Sequence, residues 1–298
     1  MQEPLISVVI PTYGRTDVAL RAVRSVIAQT HKNLEILVVD DNAKKPEIRK
    51  RIEEMISEIA DPRVRLIQNE KNLGGAVTRN VGIKASSSDY IAFLDDDDEY
   101  LPERIEKQYR RFLESDQENL ALVYCHTVMM KDPTEAIEEY RYTYRGRCVF
   151  EGMRDCIAAT SQWMCKKDAL LKVGCFSDVP CKQDSTVIVK LLVAGFTVDY
   201  VPEILSLYYR DAGDGISLQG HKKHIDGEEA LLRLCREHYD LITPAQQKEV
   251  EYAFACRLVR RYRALGMTEK YHEALKRILA HPFRRQSLGT FRRILKKQ

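Results

Sequence analysis

The chain has 298 residues, 44% of them hydrophobic and 31% charged, a globular composition that excludes a wholly disordered or fibrous protein. Its 47 basic and 44 acidic residues leave a formal net charge of +3. That balance is too even for a dedicated nucleic-acid binder, so no nucleic-acid partner is expected.

The first half alternates strand and helix. Residues 5–10 are a short apolar run ended by Pro11, the pattern of a buried parallel strand. Thr16 or Asp17 can cap a helix whose apolar positions Val18, Ala19, Ala22, Val23, Val26 and Ile27 recur at helical spacing. Residues 34–39 read as a second strand closing on Asp40-Asp41-Asn42, and residues 46–59 as a helix with Pro near its start. A strand at 64–67, a helix at 74–85, a strand at 90–94, a helix at 102–113 and a strand at 120–125 follow. Such alternation predicts an α/β fold, a parallel sheet with helices on both faces. Within 127–179, residues 137–150 are rich in Tyr, Arg and Thr and fit either an antiparallel pair or a long surface loop. A helix at 185–194 and strands at 196–200 and 205–209 come next. From Asp226 onward the pattern is helical, at 228–238, 244–265 and 269–279, with a last segment near 288–295. The composition shifts near residue 220, so the expected division is a domain at 1–220 and a C-terminal helical region at 221–298.

No run approaches the roughly 18 apolar residues of a transmembrane helix. The first residues lack a basic stretch followed by an apolar one, so no secretory signal is expected and a cytoplasmic location is. The eight cysteines are scattered without a C-x-x-C pair, the pattern of reduced, mostly buried thiols. The C-terminus interleaves Arg284, Arg285, Arg292, Arg293, Lys296 and Lys297 with Phe283, Leu288, Phe291, Ile294 and Leu295. That amphipathic segment either lies on an anionic membrane surface, as a peripheral contact, or packs its apolar stripe on the domain.

Ligands of open α/β sheets bind beyond the carboxyl ends of the strands. Three polar clusters fall there: Pro11-Thr12-Tyr13, Asp40-Asp41, and Asp95 through Asp98. Four adjacent carboxylates repel one another and invite a compensating cation, and magnesium is often held by one or two carboxylates plus substrate phosphates. The same acidic turn could instead only cap the next helix, with Asp98 and Glu99 in that part. Asp41 suits a uracil imide or a ribose hydroxyl, or is an Asx turn and nothing more. Tyr13 offers an aromatic face to a base. Arg79 and Asn80, after Gly74-Gly75, suit a diphosphate or the acidic cluster. Asp184 precedes an apolar helical run, as an N-cap or as a general base. His221 and His224 share a helix face, a spacing found in metal sites and in many surface pairs.

These residues resemble the inverting family-2 glycosyltransferases with the GT-A fold. The match runs in order through Ser7-Val-Val-Ile-Pro-Thr-Tyr13, Ser25-Val-Ile-Ala-Gln-Thr30, Glu35-Ile-Leu-Val-Val-Asp-Asp41, Asn72-Leu-Gly-Gly75, Thr78-Arg-Asn-Val-Gly82 and Tyr90-Ile-Ala-Phe-Leu-Asp-Asp-Asp-Asp98. It resumes weakly at Val173-Gly-Cys-Phe-Ser-Asp178 and Gln183-Asp184, covering about residues 5–210. The resemblance implies a Rossmann-like, mostly parallel sheet flanked by helices, with a nucleotide-sugar half at about 1–125 and an acceptor half at about 126–220. It implies a nucleotide-sugar donor, most often a UDP-sugar, a Mg or Mn ion, and a glycan or glycolipid acceptor in surface polysaccharide or glycolipid synthesis. Pro11, Thr12, Tyr13, Asp41, Arg79, Asp95 and Asp96 would then bind donor, Asp97 the metal, and Asp184 would take the acceptor proton. The family usually writes Glu-Asp where this chain has Gln183-Asp184. The Q-x-x-R-W element of processive members is absent, and the single Trp163 lies elsewhere, so a non-processive transferase is expected. A catalytically inactive nucleotide-sugar or glycan-binding module and a nucleotidyltransferase are the alternatives. Donor sugar, linkage and oligomeric state stay open.

Overall fold

The computed structural model describes residues 3–209, 220–281 and 287–290. The expected alternation is there: β1 (Ile6–Thr12), α1 (Asp17–Ile27), β2 (Leu34–Asp40), α2 (Pro46–Ile59), β3 (Val64–Gln68), α3 (Gly75–Ala85) and β4 (Tyr90–Phe93). Then come β5 (Glu99–Tyr100), α4 (Arg104–Glu114), β6 (Leu120–Asp132), β7 (Glu135–Tyr140), α5 (Val149–Arg154), β8 (Trp163–Lys166), α6 (Lys167–Lys172), α7 (Gln183–Val193) and β9 (Thr197–Tyr209). The C-terminal helices are α8 (His221–Glu237), α9 (Pro244–Ala264) and α10 (Thr268–Leu279).

β2 is buried along its whole length, and its Leu, Ile and Val run is what a strand covered on both faces needs. Alternate residues serve opposite layers. Ile6, Val8, Ile36 and Val38 pack with α1 and α2 residues such as Val23 and Ile52. Val9, Leu37, Ile91 and Phe93 face the other layer, where one cluster joins Trp163 and Leu191 to Ile225 and Leu232 of α8, Phe254 and Leu258 of α9, and Ile278 of α10. α3 lies so close on β1 that a Cβ on Gly82 would sit 2.4 Å from Val9 Cγ1. Pro46 opens α2 where its missing N–H has no helical partner to lose. Thr16 stands at the N-cap of α1 but its side chain makes no capping bond.

The strands form one sheet in the order β3-β2-β1-β4-β8-β6-β9-β5, with β7 on β6. β1 runs parallel to β2 and β4, and β2 parallel to β3. Strand order therefore reverses at β1, which opens a crevice beyond the carboxyl ends of β1 and β4. The second half is mixed: β8 is antiparallel to β4 and β6, β6 is parallel to β9, and β5 is antiparallel to β9. Of residues 137–150, the first few belong to β7, which forms a hairpin with β6. The strands expected at 196–200 and 205–209 are one strand, β9, whose register on β6 slips between Cys125↔Val201 and His126↔Ile204. Pro202 and Glu203 are accommodated at that slip, both exposed.

All eight cysteines are free, and five of them are buried. Among the described residues no helix is long and apolar enough to cross a membrane. The basic C-terminal residues Arg284, Arg285, Arg292, Arg293, Lys296 and Lys297 lie outside the described residues, as does most of the segment expected at 288–295.

Candidate active site

The crevice is a cleft of about 750 Å³. Pro11, Thr12 and Tyr13 line it from the end of β1, Asp41 from the end of β2, and Asp95, Asp96 and Asp97 from the end of β4. Arg79 comes from α3, Gln183 from α7 and Lys223 from α8.

The four carboxylates are not equivalent. Asp96 is 7% exposed and turned into the β1 loop, where Thr12 Oγ1 donates to it at 2.8 Å and the Tyr13 N–H at 3.2 Å. Burial, then the neighbouring Asp97 charge, pushes its carboxyl up to about 7, against the pull of Arg15 and Thr12. Asp98 is 1% exposed, accepts the Tyr209 N–H at 3.2 Å and leaves its Oδ2 without a partner. Burial, then Asp97 and Asp95, holds it well above the usual carboxylate range. Neither Asp98 nor Glu99 caps α4, whose N-cap is Glu103; Glu99 instead accepts the Tyr209 hydroxyl at 3.0 Å. Asp97 faces the cleft with its carboxylate on the Arg15 guanidinium, which also reaches Asp96 at 3.1 Å. Burial and the Asp95 charge raise the Asp97 carboxyl, while Arg15 lowers it. Asp95 pairs with Arg79.

Asp41 lines the cleft with its carboxylate fully engaged by the loop before α3. Its Oδ1 accepts from Asn69 Nδ2 at 2.9 Å and the Leu73 N–H at 2.8 Å, and its Oδ2 from Asn72 Nδ2 at 3.0 Å and the Gly74 N–H at 2.8 Å. A carboxylate has about four acceptor sites, and all are filled. In this state the carboxylate holds the loop before α3. The Asx turn falls one residue earlier, where Asp40 Oδ1 accepts the Asn42 N–H at 2.8 Å. Tyr13 is 47% exposed, with Lys45 Nζ 4.0 Å from its ring centroid. Arg79 reaches the acidic cluster as expected. Asn80 does not: it exchanges bonds with the Phe176 backbone at 2.8 and 2.9 Å.

Gln183 Oε1 accepts from Arg79 Nη1 at 3.1 Å, so Arg79 bridges the β4 end to the start of α7. Asp184 follows, half-buried, just beyond the residues that line the cleft. It is not the N-cap, a position held by Lys182. Its Oδ1 accepts the Ser185 N–H at 2.6 Å, and its Oδ2 lies 3.8 Å from Cys156 Sγ.

Among the described residues no group of three or more His, Cys, Asp or Glu side chains is placed to hold a metal ion, His221 and His224 included. The donor set nevertheless fits a hard cation that takes one or two carboxylates and completes its shell with phosphate oxygens and water. Asp97 and Asp95 both line the cleft, where the Asp95 charge works against ionisation of Asp97, and the arginines that answer them, Arg15 on Asp97 and Arg79 on Asp95, show that the pair takes positive charge. Arg15, Lys45, Asn72 and Lys223 also line the cleft and were not singled out from the sequence. Arg15 carries a local signal, following Thr12-Tyr13-Gly14, whereas Lys223 has none.

Residues 7–174 match the family described as Glycosyl transferase family 2. Among curated relatives, WcaA of Escherichia coli K12, named for colanic acid biosynthesis, is 37% identical over 34% of this chain and 36% of its own length. A Methanocaldococcus jannaschii glycosyltransferase is 33% identical over 47% of this chain and 48% of its own. The chain thus spans less than half the length of each. TuaG of Bacillus subtilis 168, named for teichuronic acid biosynthesis, is 25% identical over 69% of this chain and 79% of its own. Among solved structures, S. aureus TarS 1–349 in complex with UDP-GlcNAc superposes with a TM-score of 0.64 at 15% identity, covering 97% of this chain and 90% of that one. The mannosyltransferase PcManGT from Pyrobaculum calidifontis in complex with GDP-Man and Mn2+ gives 0.60 at 16% identity, covering 98% and 79%. At those identities the likeness is one of fold, GT-A.

Proposed function

The chain belongs to glycosyl transferase family 2, and on that premise we propose that it moves a sugar from a nucleotide-sugar, UDP-linked, to a hydroxyl of a glycan or glycolipid acceptor, with inversion at the anomeric carbon. The observation that carries this is the cleft at the β1/β4 reversal, which gathers an exposed Tyr13, Arg79 and the Asp95–Asp97 carboxylates with Gln183, the residue before Asp184. Tyr13 stacks on the base beside Lys45. Asp41 keeps the loop at Gly74-Gly75 in place, and Arg79 with Lys223 supplies positive charge toward the diphosphate. Asp184 accepts the proton of the acceptor hydroxyl as its oxygen attacks the anomeric carbon, and the nucleoside diphosphate leaves from the opposite face. A Mg or Mn ion, held by Asp97 with Asp95, would neutralise the charge that grows on the leaving diphosphate. One displacement inverts the centre, so an α-linked donor gives a β-linked product.

The names of WcaA and TuaG, for colanic acid and teichuronic acid biosynthesis, support a role in polysaccharide synthesis, and a glycolipid acceptor and a cytoplasmic location belong to the same proposal. TarS with UDP-GlcNAc and PcManGT with GDP-Man and Mn2+ support a nucleotide-sugar and a metal. Residues 1–220 are the transferase domain in this reading, and 221–298 its helical extension, with a peripheral membrane contact assigned to the basic end.

The test is nucleotide release from UDP-, GDP- and dTDP-sugars with Mg or Mn, in the parent, Asp97→Ala and Asp184→Asn. Metal-dependent release of one nucleotide, lost in both variants, is expected. UDP binding with no turnover on any acceptor would support an inactive binding module, and nucleotide incorporation into product a nucleotidyltransferase.

A further inference from the structure

We propose that α8 and α9 hold the turn that carries Asp184, which makes Glu228 and Arg257 positioning residues, a proposal that rests on Asp184 acting as the base. The turn is strained. Lys182, just before α7, has φ +62°, a left-handed conformation costly for a residue with a side chain. Such strain persists only where the surroundings over-determine it.

Here the surroundings are the C-terminal helices. Glu228 of α8 is 4% exposed, and its carboxylate lies 3.4 Å from Lys182 Nζ. The same carboxylate accepts a 2.9 Å bond from Arg257 Nε of α9. Arg257 also donates Nη1 to the Arg154 carbonyl at 2.9 Å, two residues before Cys156. Cys156 is the residue whose Sγ stands against Asp184 Oδ2. One buried carboxylate therefore ties down both the residue that leads into Asp184 and the segment packed against it. Burial raises the Glu228 carboxyl, but Arg257 and Lys182 prevail and keep it below its ordinary value.

The backbone is gripped as well. Cys181 Sγ lies 3.7 Å from the Lys223 carbonyl and 3.9 Å from that of His224. Gly227 packs so tightly here that a Cβ would come within 2.7 Å of the Cys181 carbonyl oxygen. α8 thus touches the turn at 181 and 182, and reaches 184 indirectly, through α9 and Cys156. Removing the Glu228 charge leaves the Lys182 and Arg257 cations, both only partly exposed, without the carboxylate that binds them both, and the turn loses its anchor. A general base displaced by about 1 Å can cost about 10²-fold in rate without any loss of donor contacts.

The experiment compares full-length parent, Glu228→Gln, Gly227→Ala and Asp184→Asn in three readouts: hydrogen exchange of amides 181–187, UDP affinity by calorimetry, and kcat of sugar transfer. Glu228→Gln and Gly227→Ala are both expected to lose protection at 181–187. Their kcat falls by about 10²-fold, while UDP affinity stays within about twofold of the parent's. Adding Lys182→Met to Glu228→Gln removes the orphaned cation and restores part of both protection and kcat. Unchanged exchange in both variants overturns the proposal. Altered exchange with parental kcat overturns it too, by making the clamp merely structural. Melting curves establish that each variant is folded at the assay temperature, and if Glu228→Gln is not, Gly227→Ala, with every charge intact, decides alone. If the parent transfers no sugar, or Asp184→Asn keeps the parental kcat, the functional reading has failed instead, and the exchange data alone then sustain or overturn the clamp.

Discussion

At the scale of single residues, carboxylates that look alike in sequence do different work. Asp97 is open to the cleft, Asp96 is tied to Thr12, and Asp98 is sealed beneath Tyr209. Asp184→Asn keeps size and shape but cannot take a proton, so kcat should drop by about 10²–10⁴-fold with UDP affinity retained, as steady-state kinetics beside calorimetry would read. Asp41→Asn sets an amide against four N–H donors and leaves some of them unsatisfied. We expect a loss of about 1–3 kcal/mol in chemical denaturation and weaker UDP binding as the 69–74 loop loosens. An Asp41→Asn protein with parental stability and affinity would contradict that role. The acidic run was legible because its charges are adjacent in the chain. Of the cations that answer it, Arg79 is legible, 16 positions from Asp95, but Arg15, which meets Asp97 across 82 positions, is not, and neither is the bond from Arg79 to Gln183 across 104. Pairing over that distance leaves no local pattern. The four partners of Asp41 are hidden for a related reason, although its place at a strand end is visible.

At the scale of elements, the N-terminal half was readable because each signal is local: continuous apolar strands, amphipathic helices, a Pro at the start of α2. β5, with two residues, and β8, with four, are too short to show a period, and they form only because neighbouring strands offer open edges. β9 was read as two strands because Pro202 and Glu203 interrupt it, yet a register slip lets the strand continue. Two predictions belong here. Glu35 opens the β2 ladder, accepting from Ser7 Oγ of β1 at 2.6 Å and from the Ser87 N–H ahead of β4 at 2.9 Å. Burial raises its carboxyl, but Ser7, Ser87 and Arg65 together outweigh burial and hold it below the ordinary 4.5. A carboxyl lowered by folding adds stability above its unfolded pKa and loses it as pH falls through the folded value. Glu35→Gln should therefore flatten the fall of denaturation midpoint below about pH 5, and a fall as steep as the parent's would refute the assignment. Gly82→Ala sets two effects against each other. Helix propensity gains about 1 kcal/mol. A Cβ 2.4 Å from Val9 Cγ1 overpacks the α3–β1 contact, at about 1–3 kcal/mol. Clash should win, and Val9→Ala in the same chain should recover much of the loss, as denaturation of the double variant would measure.

At the scale of the whole molecule, the shift near residue 220 marked where the helical region starts but not how it packs. Ile225, Leu232, Phe254, Leu258 and Ile278 share one cluster with Trp163 and Phe93 of the sheet. A protein ending at residue 220 exposes that face, so it should unfold without a cooperative transition and bind no UDP in calorimetry. Cooperative melting of such a fragment would mean that the shared cluster is dispensable. Long-range packing of this sort is hidden from a linear reading, because an amphipathic helix announces that it has a partner without saying which. The cleft itself has a consequence for biosynthesis. In chain order its lining begins with Pro11, Thr12 and Tyr13 and ends with Lys223. A ribosome adding about 5–20 residues per second needs roughly ten to forty seconds to travel from one to the other. Throughout that interval the cleft lacks Lys223, its contribution from α8, so on the proposed reading a nucleotide meets the complete lining only late in synthesis. Until then the sheet must hold itself together through the β1–β4 contacts it already has, and any stabilisation by a bound donor would come only after α8 has cleared the exit tunnel.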